Sequence, residues 1–239
     1  MTSADRPWRN ARRPYVLAWI PPASIATHCL PPHKSRAEPT QPPRPSLLSG
    51  PLYQALRKKF VFDGAWDLQA DDWDETDTAR KMQALAACRD LPRNPVFLHA
   101  RARLETRGFY KHKNILIQDV GELKGFFERY FIGLIDSIAS QGYDERHLAC
   151  VYQGDTGDAP SAFIGRDGRV IKSEKGRHRF AVARICQPET PFPLVIRGMH
   201  EAVLGQGSLS EDQVLQALSA IVARHGGRLD MDACFIGAG

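Results

Sequence analysis

Apolar positions along the chain fall into two textures. Before residue 148 the clearest pattern is helical. In the segment 120–142, Leu123, Phe127, Tyr130, Phe131, Leu134 and Ile138 recur at three- and four-residue steps, and Gly142 suits the stop. Residues 78–90 set Met82, Leu85 and Ala86 on one helical face and end at Leu91-Pro92. Residues 52–59 also predict a helix. From Leu148 onward, the short β-rich runs LACVYQ, SAFIG, RVIKS and FPLVIR are separated by Gly, Pro and Asp. Asp167-Gly168 predicts a hairpin whose favoured tight turn takes φ > 0 at both central positions. Glu174-Lys175-Gly176 then leads into a short helix, RHRFAVARI. Further on, SLSEDQVLQALSAIVARHGG predicts a capped amphipathic helix, with Ser210 and Gln213 as capping box and Val214, Leu218, Ile221 and Val222 as stripe. Upstream, YVLAWI predicts a strand and PPASIATHC a turn into a short helix. There is no internal repeat.

Composition matters mainly through where charge and proline sit. The 239 residues are 43% hydrophobic and 25% charged, which excludes a collagenous, fully disordered or disulfide-stapled chain. Residues 1–50 hold 7 Lys/Arg against 2 Asp/Glu and so carry the whole formal charge of +5. They also hold 10 of the 17 prolines, and 31–51 is expected to be a semi-extended linker. The rest of the chain is neutral but uneven, with seven acids from Asp63 to Asp77 and seven bases from Arg166 to Arg184. The five cysteines are widely spaced and odd in number, the usage of a reducing compartment, and offer no zinc spacing. The first apolar run stops at Pro21-Pro22, too short for a signal-peptide core or a bilayer span. A cytoplasmic protein without membrane contact is expected.

The stretch 162–185 carries the candidate chemistry. A strand, a glycine and the first turn of a helix form an anion site, because a helix N-terminus presents unpaired N–H groups and the positive end of its dipole. Gly176 permits close backbone approach, and Arg177, His178 and Arg179 add donors; arginine suits phosphate through its planar fork. Glu174, two residues before Gly176, is a candidate general base or a salt bridge orienting the arginines. In the acidic run, Asp67 of FDGAWD is a candidate metal ligand or base, the alternative being a solvated loop with Trp66 as a core plug. Gly-x-Ser-x-Gly, Walker-type and dinucleotide fingerprints are absent.

An Asp-Gly hairpin, Gly-x-His-Arg opening a helix of small apolar residues, and a strand after a proline-marked turn together resemble the ParB/sulfiredoxin-like fold. The resemblance covers about residues 161–200, with YVLAWIPPASI (within 14–29) as a weaker match to the opening strand. It implies an α+β fold with a small mixed sheet. The implied layout is a basic proline-rich segment over 1–51, a mostly helical insertion over 52–147, the core over 148–205, and a C-terminal helix and tail over 206–239. In that family the Gly-x-x-Arg turn grips nucleotide phosphates, which here implies Gly176, Arg177, His178 and Arg179. The implied ligands are a nucleotide of ATP or CTP type and Mg²⁺. The implied activity is nucleotide hydrolysis or phosphate transfer to a small molecule; the alternative is a non-catalytic nucleotide sensor or DNA-backbone module, nuclease-labelled relatives included. Arg177 stands where sulfiredoxins carry their cysteine, so that repair chemistry is not expected. One strand and one clear helix follow the core, so sequence-specific DNA binding lacks its usual reader.

Overall fold

The computed structural model describes residues 16–30, 48–49, 60–143, 159–204 and 209–230. Its strands are β1 Val16–Ile20, β2 Thr27–His28, β3 Leu48–Ser49, β4 Val61–Phe62, β5 Asp71–Asp72, β6 Tyr110–His112, β7 Ile115–Ile117, β8 Ser161–Ile164, β9 Val170–Lys172, β10 Phe192–His200, β11 Leu209–Ser210 and β12 Arg228–Leu229. The helices are α1 Asp77–Ala87, α2 Pro95–Arg107, α3 Val120–Phe127, α4 Gly133–Gln141, α5 Arg177–Cys186 and α6 Glu211–Arg224.

One mixed sheet runs in the order β12-β1-β10-β8-β9-β2-β5, with β4 also on β10. The central strand, β10, is apolar almost throughout because both its faces are covered. It pairs antiparallel to β1 and parallel to β8, and β9 pairs parallel to β2. A single continuous core joins this sheet (Val16, Ile20, Ile164, Leu194, Ile196) to the helical segment (Met82, Leu85, Phe127, Phe131, Ile138). Helix α5 lies in the middle of that core, with α1 and α4 packed against it. The helical segment is thus built onto α5 and shares its hydrophobic interior.

The fold class is mixed α+β, as expected, and the expected strands at YVLAWI, SAFIG, RVIKS and FPLVIR form. Helix α1 and the long helix of the 120–142 stripe also form, the latter running through a π turn at Glu128–Ile132. In α6, Val214, Leu218, Ile221 and Val222 are buried as the stripe requires.

Two expectations are corrected, and one feature is added. PPASIATHC makes a single 3-10 turn at Pro22–Ser24 and then strand β2, not a helix. Its Thr27 and His28 pair on both sides, and two sheet partners outweigh local preference. The β8–β9 hairpin has a longer loop than a two-residue turn: Gly168 N–H donates to Gly165 O, and only Gly168 (φ 78°) has positive φ. An ordinary turn closed by a left-handed glycine replaces the double-positive one. Helix α2 and the β6–β7 hairpin are an addition: Asn94 accepts from the N–H groups of Val96 and Phe97, Pro95 occupies the first turn, and left-handed Gly108 ends the helix. Of the expected linker over 31–51 only Leu48–Ser49 are described, paired as β3 with β11; the rest of it, the helix over 52–59, the strand LACVYQ and the side-chain cap of Ser210 lie outside the described residues.

Candidate anion site at the Gly176 turn

Strand β9 ends at Lys172, and the chain turns through residues 173–176 into α5. Lys172 is fully buried, and its Nζ donates to the carbonyls of Ser161 (3.1 Å), Ser173 (2.7 Å) and Lys175. Burial, then the nearby Arg179 and Arg177, push its pKa well down. Three carbonyl acceptors nevertheless call for three N–H groups, which only the ammonium has. Because carbonyl and N–H of a trans peptide point in opposite directions, drawing the Ser173 and Lys175 carbonyls inward turns the N–H groups of Glu174 and Gly176 away from Lys172. Gly176 is left-handed (φ 69°), and a Cβ there would come 2.6 Å from Pro160 Cα. The N-cap residue of α5 is Gly176 itself, which brings no side chain to cap the helix.

The expected site residues separate around this turn. Glu174 and Arg177 are half-buried beside Gly176, and Arg179 is buried on the first turn of α5. His178 instead faces the helical segment, with ring centroids 5.4 Å from Phe131, 5.9 Å from Tyr130 and 5.8 Å from His112. Burial, then Lys81 and His112, lower its pKa to about 3. Lys81, whose Nζ lies 3.7 Å from the Phe131 centroid, is lowered by burial to about 8.

Asp67 belongs to a different contact. It is fully buried, and both carboxylate oxygens take hydrogen bonds from Arg166, whose guanidinium and backbone N–H lie 2.8–3.1 Å away. Burial would raise its pKa, but the Arg166 bonds outweigh that and hold it below the usual value. Trp66 is buried beside it as a core plug and stacks on His200, whose Nε2 lies 2.8 Å from Gly64 O. At the other end of both charge runs, Arg184 binds Asp74 and the carbonyls of Pro22 and Ile25. The acidic and basic runs therefore meet at their ends. Arg166, Arg169, Lys172 and Arg184 all bond within the fold, and Lys175, Arg177 and Arg179 are the cations of the run that stand at the turn itself.

The structure adds two residues that sequence reasoning missed. In register across β5, β2 and β9 stand Asp71, His28 and Lys172, and residues directly opposite one another share a face of the sheet. The His28 ring lies 5.9 Å from Trp73, itself 4.8 Å from Phe180 on α5. The sheet face carrying His28 is therefore the one under α5. An acidic residue does cross toward the basic turn, but it is Asp71 rather than Asp67. Two-residue strands leave no period in a sequence, so no sequence signal marked this row.

Among the described residues, no three His, Cys, Asp or Glu side chains gather to hold a metal ion, and no helix is long and apolar enough to cross a membrane. Compared with known proteins, the chain matches no family model, no curated protein and no solved structure.

Proposed function

We propose that the Gly176 turn binds the phosphates of a nucleotide of ATP or CTP type, in a ParB/sulfiredoxin-like manner, and that the protein hydrolyses the nucleotide or passes its phosphate to a small molecule. The observation that carries this reading is the inward capture of the Ser173 and Lys175 carbonyls by Lys172, which turns backbone N–H groups away from Lys172 at a helix N-terminus whose cap residue is a glycine. Fixed N–H groups and flanking arginines are what phosphoryl groups need, since their transfer depends on positioning and charge neutralisation. Arg177 and Arg179 serve as phosphate donors, while the aromatic setting of His178 gives it a packing role. Glu174 is the carboxylate placed to share a Mg²⁺ with phosphate oxygens. Magnesium is commonly held by one or two carboxylates plus the substrate, so the donor set fits, and the ion would offset phosphate charge.

The test is thermal stabilisation by a panel of nucleotides with and without Mg²⁺, on the wild type and on Arg179→Ala. A ligand at about a hundred times its Kd adds about 2.7 kcal/mol. Absence of a response in the wild type, or an equal response in Arg179→Ala, would refute the phosphate site.

One observation favours a second reading, a DNA-backbone module. Arg103 and Arg107 on α2 and Lys111 and Lys113 on the β6–β7 hairpin are exposed, and none forms an ion pair among the described residues. If this face binds DNA, changing the four to Glu abolishes binding. Single changes should flatten its salt dependence, by about 0.9 in log–log slope for each phosphate no longer neutralised.

A further inference from the structure

In the Asp71–His28–Lys172 row, His28 packs edge-on against Trp73, a contact that makes no use of its Nε2. It is 6% exposed, and its Nε2 has no hydrogen-bond partner among the described residues. Lys172, by contrast, spends its ammonium on three carbonyls, and Asp71 lies exposed at the rim. A buried polar atom without a partner costs free energy of the order of a lost hydrogen bond, so its persistence points to a partner supplied from outside. The location is specific. His28 ends β2 where Lys172 ends the parallel β9, and the chain beyond Lys172 is the turn into α5. The crevice beyond the carboxyl ends of parallel strands is where ligands bind in α/β sheets. The charged groups around the imidazole are those of the candidate site, with Lys172 and Arg177 on the cationic side and Asp71 and Glu174 on the anionic side. Burial, then the two cations, lower the pKa of His28 to about 4, so near pH 7 its ring is neutral and one nitrogen keeps a free lone pair.

We infer that His28 is a catalytic residue that holds the attacking hydroxyl, of water or a small alcohol, at the phosphate bound by the Gly176 turn. The inference rests on the phosphate reading given above. In the step, the hydroxyl oxygen bonds to the terminal phosphorus of a nucleoside triphosphate. The bridging P–O bond breaks, its electron pair stays on the departing nucleoside diphosphate, and the hydroxyl proton passes to Nε2 and then to solvent. Phosphoryl transfer through a loose transition state demands orientation of the nucleophile more than a strong base, and a weakly basic imidazole suffices for that. Glu174 is then left for the cation.

The experiment follows ATP and CTP with Mg²⁺ in two readouts, thermal stabilisation for binding and ³¹P NMR of diphosphate formation, with water as acceptor. His28→Gln is expected to bind nucleotide with a Kd within about twofold of wild type and to lose about 100-fold or more in kcat. Unchanged turnover in His28→Gln would mean that a bound water merely fills the gap, and would overturn the inference. So would a wild type that binds nucleotide but forms no diphosphate, or a His28→Gln that turns over normally once saturated but binds weakly. A wild type that no nucleotide stabilises fails at the earlier step and takes the phosphate reading down with it. If His28→Gln does not fold, ¹⁵N NMR of the wild-type imidazole decides. The Nε2 resonance must move on adding a non-hydrolysable triphosphate analogue, and a stationary resonance refutes the role.

Discussion

Asp67 and Arg166, 99 positions apart, form a fork-to-carboxylate pair in which the arginine also donates its backbone N–H. The carboxylate is fully buried, while the Arg166 side chain is 36% exposed. This contact fastens the loop ahead of β5 to the β8–β9 hairpin, and Arg169 strengthens it by donating to Asp67 O at 2.9 Å. Removing one member of a fully buried pair costs about 3–5 kcal/mol. With Arg166 partly in water, Asp67→Asn should cost about 2–3 kcal/mol in urea unfolding. Nucleotide-induced stabilisation should persist in that variant, because the carboxylate is committed to Arg166. Loss of the nucleotide response at intact stability would make Asp67 a metal ligand after all.

Gly176 and Gly108 make a controlled pair. Both have positive φ, 69° and 76°, yet a Cβ at Gly176 would meet Pro160 backbone at 2.6 Å, whereas at Gly108 nothing lies within 4 Å. Left-handed strain alone costs about 1–2 kcal/mol, which is the expected loss for Gly108→Ala. Gly176→Ala must also displace Pro160 and should lose at least about 1 kcal/mol more, together with the phosphate response. Equal midpoints for the two variants would show that the turn tolerates the shift.

How much of this was legible depends on the range of the interaction. The stripes of α6 and of the 120–142 helix could be read because their period repeats over several turns. So could the Gly176 helix start. Helix α2 was legible in principle: Asn94-Pro95 at its start and Gly108 at its end are ordinary boundary signals, but its own stripe is only Phe97, Ala100 and Leu104. The pairing of Asp67 with Arg166 and the row Asp71–His28–Lys172 were not legible. Each depends on which strands become neighbours, and β2 and β5 are two residues long. The basic run looked like a surface feature, yet at least four of its seven cations are internal fasteners, because backbone carbonyls and distant carboxylates compete for them.

Lys172→Met keeps the bulk of the side chain and removes its donors. The carbonyls of Ser161, Ser173 and Lys175 then lose a shared partner. An unpaired buried acceptor costs about 1–3 kcal/mol, offset in part because an ammonium no longer has to be buried. A net loss of about 2–4 kcal/mol is expected. Amide hydrogen exchange at Gly176 and Arg177 should quicken more than in α6, since the turn loosens before the rest of the fold. Uniform quickening across both would mean that Lys172 supports the whole sheet and not the turn.

Three histidines make the protein sensitive to acid in a defined window. Burial is the first cause in each: His28 and His112 are lowered from 6.5 to about 4 and His178 to about 3, with Lys172 and Arg177 acting on the first and Lys81 on the other two. Between pH 6.5 and about 4 the unfolded chain therefore binds more protons than the folded one. Stability present near pH 7 falls as pH drops through this window, by up to about 1.4 kcal/mol per pH unit for each histidine. Below about pH 3 both states are protonated and this dependence levels off; Asp67, with its lowered pKa, adds its own loss below 3.8. Urea unfolding at about pH 7, 6 and 5 should give steadily lower midpoints. His178→Phe, whose ring suits the Phe131–Tyr130 surroundings, should reduce the slope by one proton's worth. A midpoint independent of pH across this range would mean that the folded protein accommodates charged imidazoles at all three positions.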